Sequence, residues 1–162
     1  MYPYIVLILF ISFLLSCNSD MKKNDKKVVY LSLNQSNNSI VDSFDDLLKV
    51  LYSLNCESTK KKFLLFKKNL IFQKEHLDSL EIDGKDLFLK VGVENVYRKF
   101  KSFTDDKLLE MVDSCSKLTS DEMGVRYQSN IDSFILELNE EVDKFKFWQV
   151  KYKKMYPDVF KK

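Results

Sequence analysis

A chain of 162 residues makes one ordinary domain. Its 45% hydrophobic and 31% charged residues, with a net charge of +2, describe a globular protein with a near-neutral balance. That balance excludes a dedicated nucleic-acid binder, which carries a strongly basic total or patch. Alanine is absent, and lysine outnumbers arginine 24 to 2. Lys, Asn, Ile, Phe and Tyr are plentiful and have AT-rich codons, whereas alanine codons are GC-rich, so the bias reads as genomic. Two consequences follow. A run of lysines is weak evidence for a site, and helices must be held by packing, not by the high intrinsic propensity of alanine.

Residues 1–16 read as a signal peptide. They hold thirteen apolar residues and no charged side chain. The stretch Ile5–Leu15 has the length of a signal h-region and falls short of the ~20 residues that span a bilayer. It ends in Leu14-Leu15-Ser16-Cys17, which resembles a bacterial lipobox. The residue types suit that chemistry. The Cys17 thiol takes a diacylglyceryl group as a thioether, the small Ser16 fits a peptidase cutting before it, and the freed α-amine accepts a further acyl chain such as palmitate. Two or three chains exceed the single chain that gives only marginal, reversible anchoring. The n-region, Met1–Tyr4, departs from the usual pattern in having no Lys or Arg.

With its Asn/Ser/Asp/Lys segment after Cys17, its lysine-rich composition and a small helical domain, the chain resembles a spirochaetal surface lipoprotein of the Lyme and relapsing-fever group. Residues 1–27 carry the motif-level match, and the remainder matches in composition and helical character alone. The resemblance implies an outer-membrane lipoprotein, often displayed to the host. It implies no ligand.

Residues 17–38 are expected to be the lipidated cysteine and a polar tether. Residues 18–27 are charged and aperiodic, Val28–Leu33 is a short apolar run suited to an extended segment, and the turn formers at 34–39 suggest a loop. From Ser39 the spacing predicts an all-α antiparallel bundle of about five helices over 39–162. Ser39 and Asp42 have capping-box spacing, followed by Phe44, Leu47, Leu48, Leu51 and Leu54. A second segment, about 58–82, carries Phe63, Phe66, Leu70, Leu77 and Leu80, with Leu64 and Ile71 widening the stripe into the most buried helix. A third, about 85–102, follows the Asp83-Gly84 turn and carries Leu89, Val93, Val96, Phe100 and Phe103. Thr104 is expected to cap a fourth helix bearing Leu108, Met111, Val112, Cys115 and Leu118. Thr119 and Glu122 cap the longest, about 120–155, where Ile131, Leu138, Phe145 and Tyr152 repeat every seven residues and Pro157 ends the run.

No catalytic constellation is visible in this pattern, and the chain is expected not to be an enzyme. The acidic pairs Asp45-Asp46, Asp105-Asp106 and Glu140-Glu141 are adjacent, so their side chains diverge by about 100° on a helix and cannot share a proton. His76 is solitary and has no second ligand at helical spacing, which speaks against zinc. Gly84, Gly92 and Gly124 are isolated, so no phosphate loop can form. No metal or cofactor is expected. Cys56 and Cys115 permit a single disulfide in an exported protein, although the apolar stripe around Cys115 favours packed thiols.

The remaining candidates for binding are basic. Lys60, Lys61 and Lys62 form one cluster and Lys151, Lys153 and Lys154 another, with Phe147 as an apolar anchor and Phe160 exposed beside them. Phe145, Trp148 and Tyr152 are expected in the core. The expected partners are the membrane, through acyl chains on Cys17, and a host or environmental protein or a glycosaminoglycan, with no nucleic acid. A periplasm-facing structural or envelope-assembly lipoprotein is the alternative.

Overall fold

The computed structural model describes the backbone of residues 3–53, 55–82 and 84–161, and side chains from residue 25 onward except those of Ser120, Met123 and Gly124. The fold is all-α, with no strand among the described residues. Helix α1 spans Pro3–Tyr52, α2 Cys56–Ser79, α3 Leu87–Phe103, α4 Leu109–Ser114, α5 Ser120–Met155 and α6 Pro157–Phe160. A single π-helical turn, Thr104–Leu108, joins α3 to α4.

Helices α1 and α2 form an antiparallel hairpin. Its turn is set by Asn55, whose side chain accepts from the Ser58 backbone N–H at 3.0 Å and caps α2. α3 and α5 make the second major pairing, and α3 also meets α1. Two hydrophobic cores result. The larger is built around Phe44, whose ring lies 5.0 Å from Phe100, 5.4 Å from Phe134 and 5.6 Å from Phe66. The smaller gathers Tyr30, Leu33, Leu77, Leu89, Val93, Phe145 and Tyr152 around the middle of α1. At the α3–α5 crossing, a Cβ on Gly92 would sit 3.0 Å from the Phe145 ring, so a larger residue there needs that ring to shift.

Several local expectations are corrected. The turn formers at 34–39 and the apolar run at 28–33 are helical and belong to α1. Their faces are buried, Tyr30 and Leu33 in the smaller core and Ser36 and Asn37 between the two cores. Ser36 Oγ and Asn37 Oδ1 have no hydrogen-bond partner among the described residues, whereas neighbouring polar side chains bond to α2 and α5. Asn69 donates to the Ser39 carbonyl at 2.9 Å and to Ser43 Oγ at 2.8 Å, Gln73 donates to Ser39 Oγ at 3.2 Å, and Gln149 on α5 bonds Asn34. Ser39 is therefore inside a helix and caps nothing.

Thr104 does not open a helix either. Its backbone is helical and its hydroxyl donates back to the Phe100 carbonyl at 2.6 Å, so α3, the π turn and α4 run on as one rod. Leu64 and Ile71 on α2 face outward at 59% and 58% exposure, which leaves that helix with one buried stripe, not two. The second capping box is present as expected. Thr119 Oγ1 accepts from the Glu122 backbone, and Glu122 Oε2 accepts from the Thr119 backbone at 2.8 Å. Pro157 follows the end of α5 and begins α6.

Candidate functional surfaces

The two lysine clusters lie at opposite ends of the bundle. Near the start of α2, Lys62 binds Asp46 of α1 at 3.0 Å. Near the end of α5, Lys153 lies over the ring of Tyr30 of α1, 5.1 Å from its centroid. The two contact points are sixteen residues apart on α1, about 24 Å along its axis. One continuous basic surface is therefore ruled out, and each cluster must be read with its own surroundings.

At the α2 end, Lys60 and Lys61 are exposed, and among the described residues neither is in an ion pair. Lys62 is neutralised. Asp46 accepts from it and from Lys49 at 3.2 Å, and these hydrogen bonds, Lys62 first, hold the Asp46 carboxyl below its ordinary range. A disulfide between Cys56 and Cys115 closes this end, with Cα atoms 5.6 Å apart. The packed-thiol expectation is thus corrected. Cys115 is buried as its stripe requires, but the turn after α4 brings it against the first residue of α2.

At the other end, the last turns of α5 lie beside the part of α1 nearest Cys17. Tyr152 donates to the Lys26 carbonyl at 3.1 Å. Asp86, almost wholly buried before α3, accepts from Tyr156 at 2.6 Å and pairs with Lys26. The carboxylate thereby pins the start of the packed α1 to α3 and to the C-terminal turn. Phe160, expected to be exposed, packs edge-on against Tyr30 at 4.9 Å. Phe147 is exposed as expected, at 63%, and leans edge-on against the half-buried Trp148. Lys151 lies 5.0 Å from the Trp148 centroid and 5.4 Å from that of Phe88. Among the described residues, neither it nor Lys153 nor the exposed Lys154 is in an ion pair. The Cys17 side chain lies outside the described residues.

A third feature escaped the sequence pattern. Ser32 Oγ and His76 Nε2 are 2.6 Å apart across the α1–α2 hairpin, forty-four residues apart in sequence. They line an uncharged groove with Ser36, Ser39, Asn69, Gln73 and Phe72. A hydroxyl on an imidazole is the first contact of a nucleophile–base pair, but among the described residues no carboxylate or carbonyl holds the other ring nitrogen to orient it. Only the hairpin register joins these residues, so no local spacing signals them. Among the described residues no group of three His, Cys, Asp or Glu side chains could hold a metal ion, and no helix is long and apolar enough to cross a membrane. No protein-family model, curated protein or solved structure matches this chain.

Proposed function

We propose that the chain is a lipid-anchored surface lipoprotein of the cell outer membrane. It displays a helical domain to a host or environmental protein, or to a polyanion such as a glycosaminoglycan, and performs no catalysis. The observation that carries this reading is the use of the three cysteines. Cys56 and Cys115 are joined, a state that persists in oxidising compartments outside the cytoplasm. The one left over, Cys17, stands where Leu14-Leu15-Ser16 offers the lipobox. A disulfide within the domain thus supports export by a route independent of the leader, and an acylated Cys17 would hold the domain by the end of α1. The opposite end, with Lys60 and Lys61 uncompensated beside the disulfide, then faces away from the anchor and is the first place to seek a partner.

Two measurements test this. Mass spectrometry of the N-terminal peptide from native membranes is expected to show a chain beginning at a diacylglyceryl- and acyl-modified Cys17, and an intact Met1 terminus overturns the anchor. Protease added to intact cells is expected to remove the domain. Protection until the outer membrane is breached overturns surface display in favour of a periplasm-facing envelope role.

A further inference from the structure

The exposed side of α5 changes character along its length. Acids occur up to Asp143, where Lys144 is paired with Glu141 at 2.7 Å and Lys146 with Asp143 at 2.9 Å. From Phe147 to Pro157 there is no acid at all. Within that span Phe147, Val150, Lys151 and Lys154 fall at i, i+3, i+4 and i+7, which is one helical stripe. Phe147 and Val150 are more than half exposed, and Lys151 and Lys154 are exposed and, among the described residues, outside any ion pair. Lys153 stands beside them over Tyr30. Exposed apolar residues interleaved with uncompensated lysines on one helix face are the composition of a surface that rests in a lipid headgroup layer.

The position of the stripe selects that occupant. Tyr152 and Lys153 touch Lys26 and Tyr30, so the stripe sits at the end of the bundle where α1 arrives from Cys17. Nine residues separate Cys17 from Lys26, about 14 Å as helix and at most about 32 Å fully extended. Two acids at this end are already engaged, Asp86 by Lys26 and Tyr156 and Asp158 by Lys161 at 2.8 Å. We infer that the Phe147–Lys154 face of α5 docks on the anionic phospholipid surface of the membrane that anchors the chain, and that it sets the tilt of the domain. The inference rests on the anchored reading above and reassigns these residues from a soluble partner to the bilayer. An anchored domain pays little translational entropy to make this contact, so individually weak lysine contacts of the kind made by polybasic segments suffice together.

The test uses the chain from residue 17 with Cys17→Ser, which keeps every residue of both cores and removes the acyl chains. It is mixed with vesicles of phosphatidylcholine alone, or with about a third phosphatidylglycerol. Co-sedimentation is expected with the anionic vesicles only and is expected to weaken as salt shortens the screening length. Lys151→Gln, Lys153→Gln and Lys154→Gln together should lower the partition coefficient by roughly 100-fold, whereas Lys60→Gln with Lys61→Gln should leave it unchanged. Trp148, the one tryptophan, reports directly, and its emission should shift to the blue on anionic vesicles. Melting of each variant followed by circular dichroism separates lost binding from lost fold. Equal partition of the triple variant and the parent, equal binding to neutral vesicles, or retention on immobilised heparin without binding to anionic vesicles each overturns the inference. An unmodified Cys17 in native membranes overturns the anchored reading by itself, since the vesicle measurement is decided on a chain without acyl groups.

Discussion

Thr119 enters α5 with extended backbone, and its hydroxyl and Glu122 satisfy each other's neighbouring N–H groups. The backbone and hydroxyl donors of Thr119 hold the Glu122 carboxyl below the usual glutamate range. A carboxyl lowered in the folded state contributes stability above its unfolded pKa and loses that contribution as pH falls through the lowered value. Glu122→Gln should therefore be less stable than the parent at neutral pH and converge with it in acid, as read by urea unfolding across the pH series. Thr119→Ala, which also removes the hydroxyl acceptor, should cost about 1 kcal/mol. The same comparison shows what single residues can reveal. Thr119 follows a turn and its spacing read correctly. Ser39 and Thr104 have similar residue types, yet both lie inside continuous helix, because their flanking segments bury apolar faces on either side and tertiary packing overrides a local capping preference.

Among the elements, α1 is where sequence and structure part most. Its segment 25–38 joins the apolar run Val28–Leu33 to the turn formers from 34 onward and has no clear stripe of its own. What makes it helical is distributed over distant positions, with Leu77, Leu89 and Tyr152 supplying the pocket for Tyr30 and Leu33, and His76 and Gln149 partnering Ser32 and Asn34. Those contacts exist only once α2, α3 and α5 have assembled, so no window of neighbouring residues displays them. The smaller core is correspondingly dependent on this half-helix. A chain beginning at residue 39 should melt well below one beginning at residue 25 and should lose the near-ultraviolet dichroism of the tyrosines and Trp148 that pack at that end. Equal melting temperatures would return residues 25–38 to the status of a tether. The heptad of α5 was legible for the opposite reason. Ile131, Leu138, Phe145 and Tyr152 all point inward along a single helix, and all four are buried.

For the whole molecule, the disulfide is the strongest single constraint on the unfolded chain. It closes a sequence separation of 59 residues, for which the loss of loop entropy is worth about 4 kcal/mol. Cys56→Ser with Cys115→Ser should lower the unfolding free energy by about 2–4 kcal/mol while preserving the helical spectrum, since both cores persist. The sequence permitted the bridge and could not decide it, because the decision depends on where the turn after α4 comes to rest against α2. Likewise the two lysine clusters were legible as residues but not as separate ends, since their separation is a property of the hairpin register. The fold class followed from periodicity and the Phe147, Lys151, Lys153 and Lys154 cluster from the sequence, whereas the Ser32–His76 groove and the place of that cluster beside Lys26 and Tyr30 needed three dimensions.

The ring closed by Cys56 and Cys115 also determines how the molecule behaves under load. Pulled between residue 17 and its C-terminus, the chain carries tension along α1 and across the α1–α2 seam. Once that seam yields, residues between the two cysteines still cannot pay out, so the chain stops lengthening early. Stretched between its termini in an optical trap, the oxidised chain should show a contour length shorter than the reduced one by about 200 Å, the extended length of the enclosed segment. Equal lengths would mean that the link is absent in solution. A domain with this built-in stop opens one seam under tension while its enclosed helices are kept at a short distance from one another, ready to close again when the force is released.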